Sequence, residues 1–496
     1  MSLDDPLARG QPVLDHRPFP RAVVDVKGWR AAIAELESGR VSLLSLWAER
    51  KLVHLALLEG RSVAVVSLPS TGAFASVGAR HPPAIRLERA IHDLYGLVPE
   101  GAEDTRPWLD HGRWSASQPL SATPSLPNVS PYEFLESEGE NLHQIPVGPV
   151  HAGIIEPGHF RFTASGETVV RLEERLGYVH KGIDGLFEGA TLARAASLSS
   201  HVSGDSAVAY GIALSRAVES ALNLSPPPRA VYLRALMAEL ERIANHFGDF
   251  GAVCNDASFS LMHAHCGILR EEILRAAAAT FGHRLMMDCV MPGGASDANP
   301  RGLDRIEALV ADIGHRFPAL IEIYEATASL QDRTVGTGIL KSELAKSFAA
   351  GGYVGRASGR NFDARRDLAY APYDELAFEV PIREAGDVDA RVWIRIREIE
   401  QSLSLIRQII EKLPSGPARL DLVPGAGEGM ALAEGFRGDV LAWVRLNADG
   451  TVARCHLRDP SWFQWPLLEA VIEGNIVADF PLCNKSFNCS YSGHDL

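Results

Sequence analysis

The sequence is poor in cysteine and has no paired cysteine at all. Its 496 residues hold six thiols, Cys254, Cys266, Cys289, Cys455, Cys483 and Cys489, and no two form a Cys-x-x-Cys. That spacing is how a chain offers two thiolates to one metal or cluster, so no iron-sulfur centre is expected on this chain itself. The six read as core thiols of a reducing compartment. Cys483 and Cys489, with five residues between them, are the one pair worth testing. No stretch approaches the run of about 18 apolar residues that crosses a bilayer, and no charged and then apolar leader opens the chain. An intracellular protein is expected, with any membrane contact made through other subunits. Basic charge is also short: 48 Lys and Arg stand against 62 Asp and Glu, for a net charge of -14. A phosphate backbone needs clustered cations, so DNA and RNA are excluded as partners. No internal repeat is visible.

What is present is ample apolar content, 46%, in a chain too long for one ordinary core. Residues 1–112 alternate short strand-like and helix-like runs, Ala22–Val26, Trp29–Ser38, Val41–Glu49, Leu52–Glu59 and Ser62–Leu68, which predicts a small α/β domain. Within it His81–Leu97 reads as a short helix whose Glu88, Arg89 and Asp93 share a face and are expected to form ion pairs at a docking surface. Residues 113–144 are rich in Ser and Pro with little periodicity, the composition of a linker. From 145 to 496 the pattern is mainly helical. Leu233, Leu236, Met237, Leu240, Ile243, Ala244 and Phe247 recur at three- and four-residue steps, after a start at Pro226-Pro227-Pro228. Similar stripes run from about Leu303 to Leu330 and from Ala390 to Leu413, which together predict a helical bundle. Leu441–Leu446 and Val452–Leu457 flank Asn447-Ala448-Asp449-Gly450, a hairpin signal. The fold class is α+β, a small α/β domain followed by a large, mainly helical one with small β elements.

The candidate site residues lie in the second part. Ile155-Glu156-Pro157-Gly158-His159 offers a carboxylate whose pKa would rise if it were buried, as suits proton relay. Ser203-Gly204-Asp205-Ser206, and Ser490-Tyr491-Ser492-Gly493 followed by His494-Asp495, set hydroxyl, carboxylate and imidazole groups at corresponding spacings. Glu239, Glu241, Arg242, Asn245 and His246 lie on the strongly periodic helix, where Arg242 and His246 share a face and are expected to brace a neighbouring loop. Asp363 and Arg365 are expected to pair internally. Gly425-Ala426-Gly427-Glu428-Gly429 follows no clear βα unit and is not read as a dinucleotide loop.

In this order the segments from Ile145 onward resemble the large subunit of nickel-iron hydrogenases of the formate hydrogenlyase and hydrogenase-4 type, and the 49 kDa-type, quinone-site subunit of respiratory complex I. His81–Leu97, with Asp104 and Arg106, resembles the 30 kDa-type complex I subunit that hydrogenase-4 fuses ahead of the large subunit. The resemblance implies that Ser203, Ser206, Ser490 and Gly493 stand where four cysteines hold nickel and iron. Neutral hydroxyls do not replace soft thiolates, so a nickel-iron site is expected to be absent. It implies that Glu156 matches the proton-relaying glutamate, that His201 stands at an arginine near the terminal cluster, and that Asp256 aligns with an acidic residue beside the quinone cavity. The quinone histidine and tyrosine of complex I fall on Pro157 and Gly204, which offer no side-chain hydrogen bond. The hydrogenases carry a C-terminal extension that is cut off after metal insertion; this sequence stops at Leu496, and no maturation step is expected.

The resemblance therefore implies a membrane-associated oxidoreductase subunit on the cytoplasmic side of the inner membrane. Glu156, His201, Asp205 and Asp256 would handle protons, while Ser203, Ser206, Arg242, His246, Ser490 and His494 would line or support the acceptor site. Quinone is the candidate acceptor. The implied partners are a 20 kDa-like iron-sulfur small subunit, a ferredoxin-like iron-sulfur subunit and antiporter-like membrane subunits. The alternatives are a non-catalytic scaffold of the same complex and a true nickel-iron hydrogenase with cryptic ligands.

Overall fold

The stretch Leu52–Glu59 is apolar at consecutive positions, and a strand of that kind must be covered on both faces. In the computed structural model, which describes residues 3, 7–127, 130–151 and 155–496, it is. It sits between Ser42–Glu49 and Ser62–Pro69 in a five-stranded sheet whose edge is completed by Arg21–Val23 and Gln11–Pro12. Alternate residues go to opposite sides. Val53, Leu55 and Leu57 face the core shared with helices Val26–Glu37 and Ile85–Tyr95, whereas Ala56 and Leu58 join the core of the helical body. Residues 1–112 carry both strands and helices, and the 44% helix and 19% strand of the whole chain are consistent with an α+β fold.

The second face of that sheet meets the C-terminal sheet, formed by Val452–Arg458, Gly438–Leu446 and Gly427–Gly435. Trp47 stacks on His456 with ring centroids 5.0 Å apart and lies 5.7 Å from Trp443, while Ser45 Oγ and His456 Nε2 are 2.8 Å apart. The first residues cross this seam outright. His16–Arg17 pairs in parallel with Glu428–Gly429, and Arg21 forms a buried ion pair with Glu428. The hairpin expected at Asn447–Gly450 is present: Asp449 Oδ1 accepts from the Thr451 backbone N–H, and Gly450 takes a φ of 80°.

On the charged face of helix Ile85–Tyr95, Arg89 is ion-paired, with Asp104 at 2.9 Å. Glu88, Arg89 and Asp93 are buried and point into different parts of the chain. Glu88 accepts from Ser76 Oγ and the Val77 N–H, Arg89 reaches Asp104 and two backbone carbonyls, and Asp93 caps the N–H groups of Trp108, Leu109 and Asp110. Residues 113–127 and 130–141 carry little regular structure, and Asn128 and Val129 of the expected linker lie outside the described residues.

The helical body is built on Pro228–Asp256, which carries Pro at its start, where no N–H partner is needed, and is buried along most of its length. It packs against Ser260–Phe281 and Val388–Lys412, the latter capped by the Asp387 side chain accepting from Ala390 N–H. The stripe read from Leu303 to Leu330 is two helices, Pro300–Ala326 and Ala328–Thr334. Thr327 leaves helical geometry between them, and its hydroxyl donates back to the Ile323 carbonyl. Among the described residues, no helix is long and apolar enough to cross a membrane.

Candidate functional site

The two segments singled out in the sequence meet. Ser203–Ser206 joins helix Leu192–Ser200 to helix Ala207–Ala221, and Ser490 N-caps the last short helix, Tyr491–Asp495, its Oγ accepting from Gly493 N–H at 2.9 Å. Ser203 Oγ and Ser490 Oγ lie 3.2 Å apart. Beside Ser203 stands Asp205, held by an arginine that the sequence pattern did not single out. Arg437 donates through Nη1 to Oδ1 at 2.9 Å and through Nη2 to Oδ2 at 2.6 Å, while Ser203 and Ser206 hydroxyls donate to Oδ1 at 2.7 and 3.1 Å. Burial raises the Asp205 pKa, but the Arg437 charge and these hydrogen bonds outweigh it and hold the carboxyl at about 2. Arg437 is fixed in turn by Nε donating to the Asn488 carbonyl at 2.5 Å.

Asp205 and Arg437 form one wall of a cavity of about 390 Å³ that also takes in Glu156, Asp256, Lys485 and Tyr491. Phe160 and Phe480 supply apolar wall. Asp256, at the end of helix Pro228–Asp256, has its pKa raised by burial. Glu156 is half-buried, not buried as expected, and Oε2 accepts from Ser492 N–H at 3.3 Å. The Tyr491 hydroxyl is buried beside the Asn484 side chain, and the ring packs against Gly158, where a Cβ would come within 2.6 Å of Cε1. That hydroxyl was legible only as the residue between two serines.

Ser490 also lines the cavity, and the remaining expected site residues lie outside it. Arg242 and His246 sit beneath it. Arg242 donates to the carbonyls of Glu434 and Gly435, just ahead of Phe436 and Arg437, and His246 Nε2 lies 2.8 Å from Glu398 Oε2. Arg242 thus braces the strand that delivers Arg437, while His246 ties its helix to helix Val388–Lys412, and Asp363 and Arg365 pair at 2.7 Å nearby. His201 is turned away at the end of helix Leu192–Ser200, its side chain 49% exposed and its Nδ1 3.7 Å from Asp288. His494 is fully buried, with its ring 4.1 Å from that of Trp462 and its Nε2 accepting from Trp108 Nε1 at 3.2 Å. That bond puts the ring proton on Nδ1, facing Asp495 at 2.8 Å, so His494 is packing and not a ligand-facing group. Among the described residues no cluster of His, Cys, Asp and Glu could hold a metal ion.

The positions implied for nickel and iron do not suit those metals. Three hydroxyls are engaged with one another or with Asp205, and the fourth position is filled from behind: a Cβ on Gly493 would lie 2.5 Å from Asp459 Oδ2. Asp459 is not free to move, since Oδ2 accepts from the Tyr210 hydroxyl at 2.7 Å and Oδ1 from Ser461 N–H at 2.8 Å.

Fold and site thus define the body of a hydrogenase-type large subunit whose four metal-ligand positions carry no thiolate. The family model of the 49 kDa subunit of respiratory-chain NADH dehydrogenase matches residues 258–423. Formate hydrogenlyase subunit 5 of Escherichia coli (strain K12) is 30% identical over 436 residues, 85% of this chain and 77% of its own length. A subunit of the NADH-quinone oxidoreductase of Roseiflexus sp. (strain RS-1) is 32% identical over 352 residues, 68% of this chain and 94% of its own. A chain of the membrane-bound sulfane sulfur reductase, an archaeal respiratory membrane complex, shares the fold with a TM-score of 0.68 at 24% identity, over 73% of this chain and all of that one. The chain belongs to the family that joins hydrogenase large subunits of the formate hydrogenlyase and hydrogenase-4 type to the 49 kDa-type subunit of complex I.

Proposed function

We propose that this chain is a peripheral subunit of a membrane-bound, energy-converting oxidoreductase of the hydrogenase-4 and complex I kind, and that its cavity transfers electrons and protons to an organic acceptor without hydrogen turnover. The observation that carries this is the pairing of two half-buried carboxylates, Glu156 and Asp256, with an Asp205–Arg437 ion pair where thiolates would stand. Burial raises the pKa of Asp256, and a carboxylate at the edge of a partly dry cavity suits the proton transfer that a two-electron acceptor such as a quinone requires. Tyr491 and Lys485 offer hydrogen-bond donors to an acceptor oxygen. Electrons would come from an iron-sulfur cluster of a partner, a 20 kDa-like small subunit fed by a ferredoxin-like one. His201, exposed beside Asp288, is the group suited to face that cluster. Antiporter-like subunits would supply the membrane arm, with this chain on its cytoplasmic side.

A second reading has its own support: the hydroxyls of Ser203, Ser206 and Ser490 are all spent inside the chain, as in a scaffold that binds no acceptor. Purification of the complex from membranes, with assay of metals and of quinone reduction, separates the two. Quinone turnover without nickel, lowered about a hundredfold by Glu156→Gln or Asp256→Asn in an assembled complex, supports transfer. Assembly with no turnover by any acceptor leaves the scaffold.

A further inference from the structure

A second cavity, of about 300 Å³, lies on the helical body between helix Ala207–Ala221, the start of helix Pro228–Asp256 and the stretch 370–373, and it shares no residue with the cavity that holds Asp205. Ile212, Leu224, Val231 and Pro372 make much of its wall apolar. Three charged side chains also line it, Arg216, Glu219 and Arg234. Two of them cancel. Arg234 donates to Glu219 at two points, Nη1 to Oε2 at 3.0 Å and Nη2 to Oε1 at 2.5 Å, and the Gly293 N–H adds a bond to Oε1 at 2.8 Å. Arg216 carries the charge that is left over.

Arg216 projects from helix Ala207–Ala221 and is half-buried. Its guanidinium lies 4.0 Å from the centroid of the Tyr370 ring, and Nη1 donates to the Leu432 carbonyl. No ion pair joins it to a carboxylate among the described residues, and burial lowers its pKa, the direction expected of a cation without a counterion of its own. Nε and Nη2 take no acceptor among the described residues, and neither is sealed from solvent. These two nitrogens form the side-on edge of the guanidinium, whose parallel N–H bonds fit both oxygens of one carboxylate. The chain fills the same edge elsewhere: Arg365 Nε and Nη2 donate to Oδ1 and Oδ2 of Asp363 at 3.0 and 2.7 Å. One free cation beside apolar walls matches a monoanion with an apolar body. A phosphoryl group, with close to two negative charges, would bring more charge than Arg216 balances.

We propose that this cavity binds a small organic carboxylate, held at both oxygens by the side-on edge of Arg216, with its apolar body against Ile212, Leu224, Val231 and Pro372. The site is separate from the proposed acceptor cavity and does not depend on that reading.

The test uses the full chain and octanoate as the probe, with octan-1-ol as the uncharged control of equal chain length. Isothermal titration is expected to give octanoate a Kd at or below about 1 mM and octan-1-ol a Kd about tenfold or more weaker. Arg216→Gln is expected to remove that preference, and Arg216→Lys, which keeps the charge without the two-point edge, to recover only part of it. Phenylglyoxal labelling of the parent chain, read by mass spectrometry, locates the ligand without a substitution: octanoate is expected to slow modification of Arg216 severalfold and to leave that of the exposed Arg61 unchanged. Should Arg216→Gln fail to fold, this labelling decides the matter. No octanoate binding, binding no tighter than that of octan-1-ol, or an Arg216 that octanoate does not protect would each overturn the proposal.

Discussion

Asp205 and Arg437, 232 residues apart in the chain, close a two-point ion pair, with Nη2 to Oδ2 at 2.6 Å, beside the serines whose segments resemble the metal-holding segments of the hydrogenases. A charged pair of this kind, 5% exposed on the arginine side, is sensitive to loss of one partner. Arg437→Gln is expected to lower the unfolding free energy by about 3 kcal/mol at pH 7. Asp205→Asn added to it should cost less than the two single changes together, as measured by urea denaturation of all three variants. The pH dependence has a fixed sign. The folded-state pKa lies below that of a free Asp, so this stabilisation is complete above about pH 4 and is lost as the pH falls toward about 2.

Restoring cysteines should not restore a metal site. With Ser203→Cys, Ser206→Cys, Ser490→Cys and Gly493→Cys combined, nickel is expected to stay far below one atom per chain in cells that mature hydrogenases, because Asp459 occupies the space behind Gly493. Gly493→Ala alone is expected to cost about 1–3 kcal/mol, against well under 1 for Ser203→Cys, on the same denaturation assay. Stoichiometric nickel in the fourfold variant would show that Asp459 yields.

Glu241 is a buried carboxyl that burial pushes up to about 8, although both oxygens accept backbone N–H groups at the start of helix Ala207–Ala221. A raised folded-state pKa means stability that is full below about pH 4 and declines as the pH climbs toward 8. Glu241→Gln keeps an acceptor and removes the titration, so the variant should gain stability relative to the parent between pH 6 and pH 9. Urea midpoints at those two values decide it; parallel curves would refute the assignment.

Tyr491→Phe deletes a buried hydroxyl beside Asn484. In the ligand-free complex the melting temperature is expected to change little, since at most one side-chain hydrogen bond is lost. If the hydroxyl donates to the acceptor, KM for a short-chain quinone should rise about tenfold with kcat less affected. A fall in melting temperature with KM unchanged would instead make it structural.

Periodicity made the strands of the N-terminal sheet, the Pro228–Asp256 helix and the C-terminal hairpin legible, because burial on one or both faces prints a period on the sequence. The two serine segments were legible through the resemblance to the hydrogenase large subunits. Arg437 was not, since it follows a strand of small and apolar residues and only tertiary approach joins it to Asp205. The partners of Glu88, Arg89 and Asp93 were not legible for a related reason: a shared helical face says that three charges are neighbours and not that their partners lie on distant loops. His494 looked like a site residue by its place beside the serines, yet the Trp108 and Trp462 rings enclose it.

The parallel pairing of His16–Arg17 with Glu428–Gly429 bears on how the molecule is made. Arg21 and Glu428 are separated by 407 residues, so at ordinary elongation rates roughly 20–80 s pass on the ribosome before Arg21 can meet its carboxylate. During that interval the nascent N-terminal sheet has one apolar face, with Leu44, Trp47, Ala56 and Leu58, still uncovered. Biosynthesis of this chain is therefore most exposed to chaperone capture, or to premature association, in the window before its last hairpin emerges.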